Sequence, residues 1–181
     1  VRALVSVVLV LVAVSAARCA PTNASGPPTL DASTVNDGSD ASVEPPGVEL
    51  ATGGPGEFSQ VTDGQQVLLQ RGCQGSQHVF FSLRARGVPF EQAPWITLSV
   101  LREEDQRAVS SRYELRLPLT ARSDGSGEIT GLTPVIEEPR DVIGRAVVMV
   151  AVVEDASRTV RAEARRRVTV AWGPDSCRPH G

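Results

Sequence analysis

The chain has 181 residues and 41% hydrophobic residues, which accommodates one domain plus an appendage at ordinary globular composition. All 18 basic residues are arginine, and against 21 acidic residues they leave a net charge of −3; that balance argues against a nucleic-acid binder, which carries a basic excess. Four Phe, two Trp and one Tyr leave the core to aliphatics, and two histidines and three cysteines offer little material for catalysis.

Ala3 to Ala17 is an unbroken run of small and apolar residues after Arg2. As a helix it would span about 22 Å, short of the roughly 20 residues that cross a bilayer. A charged start, a short apolar core and small residues at its end predict a secretory signal peptide over residues 1–18. Val14-Ser15-Ala16 and Ser15-Ala16-Ala17 both suit a general signal peptidase. The end of the run also resembles a bacterial lipoprotein signal, in which a cysteine follows small residues and receives a lipid. Cys19 is the lipidation candidate, although Arg18 and Ala16 depart from the usual small and Leu-like residues of that motif.

Residues 19–56 are rich in Pro, Gly, Ser and Thr, hold five acids beyond Cys19, and contain no basic residue. With no periodic apolar face they are expected to form a disordered acidic linker, because too little surface can be buried to offset chain entropy. The remaining sequence balances sixteen acids against sixteen arginines. Asn23-Ala24-Ser25 matches a glycosylation pattern, and reads as coincidence in a Ser/Thr-rich stretch.

From Glu57 the apolar period is two, which signals strands. Phe58–Thr62 and Gln66–Gln70 flank Asp63-Gly64, a two-residue hairpin signal. His78–Arg86 places Val79, Phe81, Leu83 and Ala85 on one face, and Trp95–Arg102 does the same with Ile96, Leu98 and Val100. Tyr113–Ala121 alternates with Tyr113, Leu115, Leu117, Leu119 and Ala121 inward. Pro118 makes it an edge strand or a bulged one. Asp124-Gly125-Ser126-Gly127 then turns the chain into a return strand over Glu128–Val135.

One helical turn is expected over Asp141–Gly144. Ala146–Val153 is apolar on both faces, as a central strand would be. The last run sets Val160, Ala162, Ala164, Val168, Val170 and Trp172 on one parity, interrupted by Arg166, which predicts a bulge near Arg165-Arg166-Arg167. The expected fold is all-β: an antiparallel immunoglobulin-like or fibronectin-like sandwich of about seven or eight strands over residues 57–177, with a tail at 178–181.

The segment from Asp63 to Arg84, with Gly72-Cys73-Gln74-Gly75-Ser76-Gln77-His78-Val79 at its centre, resembles a segment of uncharacterised secreted proteins and lipoproteins of GC-rich bacteria. Those carry a DG turn, a short apolar strand, G-x-Q-G-x-x-H-V and an alternating strand. The resemblance implies an exported β-sandwich and no particular activity.

His78, with the amides of Gln74 and Gln77 beside it, is the candidate binding set. A metal site at His78 and Cys73 would need further ligands to close a tetrahedral shell, and the only other histidine is His180. Ser76 and Ser82 lie near His78 in sequence but outside any nucleophile motif. Glu103-Glu104-Asp105, Glu137-Glu138 and the three arginines read as solvated charges. No catalytic residue, metal ligand or cofactor is assigned. In an oxidising compartment Cys73 and Cys177 are expected to pair, leaving Cys19 for attachment.

The reading is an exported, envelope-associated, non-catalytic module that binds or builds, with an envelope protein or polymer as partner, no nucleic acid, and membrane contact only through a lipid anchor. The alternative is a small secreted hydrolase or a periplasmic metal-handling protein centred on His78.

Overall fold

The computed structural model describes residues 45–174. The signal peptide, Cys19, Asn23, Cys177, His180 and the tail lie outside the described residues. Alternating sequence becomes eleven strand segments: β1 (Gly47–Thr52), β2 (Ser59–Gln60), β3 (Gln66–Arg71), β4 (Gln77–Val79), β5 (Phe81–Arg86), β6 (Trp95–Arg102), β7 (Tyr113–Arg116), β8 (Thr120–Ala121), β9 (Gly127–Leu132), β10 (Ala146–Glu154) and β11 (Arg161–Trp172). They form a sandwich of two largely antiparallel sheets, one ordered β2-β1-β5-β9-β8 and the other β4-β3-β11-β10-β6-β7.

The core lies between the sheets. Leu50, Phe81, Leu83 and Ala85 from the first sheet meet Val67, Leu69, Ile96, Leu98, Val100, Val147, Met149, Val153, Val168 and Val170 from the second. Each fully buried aliphatic or Phe side chain contributes about 1.5–3 kcal/mol of burial free energy. All four edge strands are two to four residues long, which limits edge-to-edge association between molecules. One edge is also covered: Val135 bridges His78 of β4, and the neighbouring Ile136 bridges Ser110.

Several sequence expectations are corrected. The sandwich begins inside the stretch read as linker, because β1 pairs with β5 and buries Leu50 and Ala51. Its apolar alternation is brief and lies between Pro46 and Gly53, which hides it. Asp63-Gly64 forms a turn, but not a hairpin: β2 pairs with β1 in one sheet and β3 enters the other. The expected strand His78–Arg86 is two strands, since the chain changes sheets at Phe80.

Tyr113–Ala121 is likewise split at Leu117-Pro118-Leu119 into β7 and β8, both at sheet edges. Leu115 is exposed there rather than buried. The helical turn falls at Pro139–Asp141, slightly upstream of its expected place.

No bulge interrupts β11. Its register with β10 is continuous from Glu154↔Arg161 to Ala146↔Thr169, through all three arginines. Arg166 keeps the core parity because its guanidinium finds a carbonyl: Nε donates to Val61 O at 3.2 Å. The twelve residues of β11 serve two tasks, since Thr169–Trp172 also pair in parallel with Gln66–Leu69 of β3.

Candidate functional site

The outer surface of the six-stranded sheet divides into two parts. Outward parity on β11 gives Arg161, Glu163, Arg165 and Arg167, and these form a chain of ion pairs. Arg161 contacts Glu163 at 2.5 Å, and Arg165 contacts the same carboxylate at 3.4 Å. Arg165 Nη2 also donates to Gln106 Oε1 at 2.6 Å, and Arg167 Nε donates to Glu103. Gln106 and Glu103 follow β6, so both arginines reach across β10, which lies between β11 and β6. Their stems roof the outward valines of β10, and Val150 is only 8% exposed despite facing away from the core. The Arg167 guanidinium holds the Glu103 carboxyl below the usual carboxylate range.

The other part, the outward face of β3 and β4, carries no charged side chain; Arg71 has the opposite parity and lies over Trp172. The outward residues are Gln66, Leu68 and Gln70 on β3, His78 on β4, and Thr169 and Ala171 on β11, as their registers place them. Beside β3 lies a groove of about 500 Å³ lined by Thr52, Gly53, Gly54, Glu57, Ser59, Gln65, Gln66, Val67, Leu68, Gln70 and Phe80. That volume falls within the roughly 300–1,000 Å³ of small-ligand sites. Glu57 is its one charged lining residue, and the carboxylate accepts a hydrogen bond from Gly54 N at 3.1 Å. Leu68 is 40% exposed at the rim.

His78 stands behind this groove. It pairs with Gln70 across β3 and β4 and meets Phe80 edge to face, with ring centroids 4.9 Å apart. Partial burial lowers its pKa, so the neutral imidazole is favoured. Gly72 allows the hairpin loop to close over the ring: a Cβ there would lie 2.9 Å from Ser76 Oγ and 3.7 Å from His78 Cε1. The ring contact that the imidazole makes is with Phe80. Among the described residues no hydrogen bond joins it to a serine or a carboxylate.

The proposed binding set does not converge. Gln77 and His78 are successive residues of β4 and point to opposite faces, while Gln74 is exposed in the turn that contains Cys73. Sequence reasoning missed Leu68, Phe80 and the Thr52–Ser59 wall, and the exposed Leu of a short strand was the only signal for them. Ser82 is fully buried and structural. Its Oγ donates to Glu57 O at 3.1 Å and accepts from Gly131 N at 3.2 Å. These bonds fasten the groove wall to the irregular β5–β9 pairing between Phe81 and Leu83. Gly131 permits that approach, since its φ is +73° and a Cβ would fall 2.8 Å from Pro55 N.

Two other features are closed on themselves. On the first sheet's outer face Arg84 lies in register between Glu49 and Glu128 and pairs with both, at 3.1 and 2.7 Å, while stacking over Phe58. Asp155, in the β10–β11 turn, accepts from Ser157 Oγ, Thr159 N at 2.6 Å and Val160 N at 2.8 Å. Those donors, chiefly the Ser157 hydroxyl, bring its pKa down to about 2.

Among the described residues no three of His, Cys, Asp and Glu gather into a group able to hold a metal ion, and no helix is long and apolar enough to cross a membrane. Comparison with family models, with curated proteins and with solved structures finds no match to this chain.

Proposed function

We propose that the chain is an exported, envelope-associated, non-catalytic binding module whose ligand-facing surface is the uncharged corner formed by β3 and β4. The observation that carries this reading is the contrast on one sheet. The outward charges of β11 are tied to partners, whereas the groove beside β3 has an exposed leucine, an aromatic, three glutamines and no cation. Neutral amides and apolar surface bind by contact and hydrogen bonding, and the groove's one carboxylate, Glu57, accepts from Gly54 N.

Two further parts belong to the proposal. Cys73, in the hairpin loop between β3 and β4, forms a disulfide with Cys177 and pins the chain end beside the groove. Cys19 carries the lipid that attaches the domain to the envelope.

Fractionation and intact mass test the location: a diacylglycerol on an N-terminal Cys19 is expected, and a mature chain starting at Ala17 or Arg18 without lipid overturns anchoring. Incubation with p-nitrophenyl esters tests the class. No turnover above a His78→Ala variant is expected, and turnover that this substitution abolishes would replace binding by hydrolysis.

A further inference from the structure

We infer that the groove takes an extended, uncharged peptide strand from another molecule, added to the six-stranded sheet along the free side of β3; the inference rests on the binding-module reading above. The argument begins with a vacated lane. β4 covers β3 only from Leu69 to Arg71. At Phe80 the chain leaves that line to begin β5 in the other sheet, and Thr52 Oγ1 fixes its departure by donating to Phe80 O at 3.1 Å. Gln66–Leu68 therefore have a strand neighbour, β11, on one side alone.

The backbone direction follows from the bonds already made. On the β11 side the carbonyls of Gln65 and Leu69 accept from Thr169 and Gly173. Successive residues of a strand direct their backbone groups to opposite sides. The N–H and C=O of Gln66 and the N–H of Leu68 thus face the groove, where a strand occupant satisfies them in the manner of β-augmentation, while the pairing of Leu69 with Val79 sets the Leu68 carbonyl against Phe80 N.

The lining sets the side chains. Thr52, Ser59 and the three glutamines offer neutral donors and acceptors, while Leu68 and Phe80 offer apolar contact. A carboxylate on the ligand would meet Glu57 and no cation. A segment of Ser, Thr, Ala and Val residues fits this lining and has the β-branched content that an extended conformation favours.

The test pans a randomised heptapeptide library against the full-length chain and a Leu68→Pro variant, which lacks the groove-facing N–H. Uncharged sequences are expected to be enriched on the parent chain and to bind the variant at least about tenfold more weakly. Whether or not that variant folds, amide exchange on the parent chain decides the mode. The enriched peptide should slow exchange at Gln66 and Leu68, and its counterpart N-methylated at alternate residues should not. Enrichment that leaves those two amides unprotected overturns the inference, as does a library that yields no binder.

The outcomes also separate the two readings. Binding of a neutral oligosaccharide, the N-acetylglucosamine tetramer, without protection of Gln66 and Leu68 overturns strand addition and leaves the binding module standing. Ester turnover dependent on His78 removes the module itself. Amides protected before peptide is added, and exposed by deleting residues 20–44, assign the lane to the chain's own segment and overturn a foreign one. Concentration-dependent dimerisation that protects the same amides assigns it to a second copy, with the same consequence.

Discussion

The first half of β11 and the corner made by β3 and β4 lie on the same sheet face, yet they handle their exposure in opposite ways. Along β11 every outward charge has a partner, and the arginine stems cover the valines of β10. At the corner the outward residues are neutral and Leu68 is open to water. The difference teaches where to look for function. A charge already paired within its own molecule has little left to offer a ligand. A stretch of strand with a neighbour on one side alone keeps backbone donors and acceptors for another chain.

The comparison assumes that the core, and not the surface charge, holds both halves together. Phe81→Ala is the strongest challenge to it. Phe81 is fully buried between the sheets, and its truncation is expected to cost about 3–5 kcal/mol, read as a fall in the denaturant midpoint. A loss below about 1 kcal/mol would mean that the core has collapsed around the gap, and would return weight to the surface pairs.

Next in size is Cys73→Ser. If Cys73 is joined to Cys177, the closed loop is about 100 residues, and opening it should cost roughly 2–4 kcal/mol. The parent chain under reductant should match the variant. Equal stability of the oxidised parent and the variant would remove the bridge from the account.

Acid titration tests the internal pairing at the β10–β11 turn. The folded pKa of Asp155 is about 2, below the usual aspartate value of 3.8. Its stabilising contribution is thus present above pH 3.8 and is lost as pH falls toward 2. Asp155→Ala should lower the melting temperature at neutral pH and converge with the parent near pH 2. A constant gap over that range would contradict the role of its charge. His78 shifts in the same direction because burial disfavours its charged form, so protonating it costs the fold stability as pH falls from 6.5 through its lowered value.

The smallest effects sharpen the contrast most. Arg165→Ala breaks exposed pairs and is expected to cost about 0.2–1 kcal/mol, diminished by salt. Leu68→Lys should leave stability within about 0.5 kcal/mol. A larger loss for Leu68→Lys than for Arg165→Ala would show that the corner is structural and that the two halves have been read the wrong way round.

Much of this was legible in the sequence. Ile96, Leu98 and Val100 face the core as their spacing requires, and Ala146–Val153, apolar on both faces, lies within the central strand β10 of the six-stranded sheet. What parity reports, however, is which side meets the core; it does not say which sheet a strand joins. Val79 and Phe81 keep one parity across a change of sheet, because both sheets face the same interior. The same ambiguity made one strand of Tyr113–Ala121. Arg166 looked like a break because the pattern registers polarity, whereas the structure needed only a partner for its guanidinium. His78 was found near the groove, but Leu68 and Phe80 were not, since the groove exists only because β4 ends where it does. That length is fixed by tertiary pairing, which local spacing does not encode.

The parallel pairing of β3 with β11 has a consequence in time. Gln66 meets Thr169 across about 100 residues, so the six-stranded sheet stays incomplete until the chain through Trp172 is present. Loop closure on this scale must precede its reward, and folding is accordingly expected on the millisecond-to-second scale. A chain emerging amino end first during synthesis would keep this sheet unassembled until β11 had emerged.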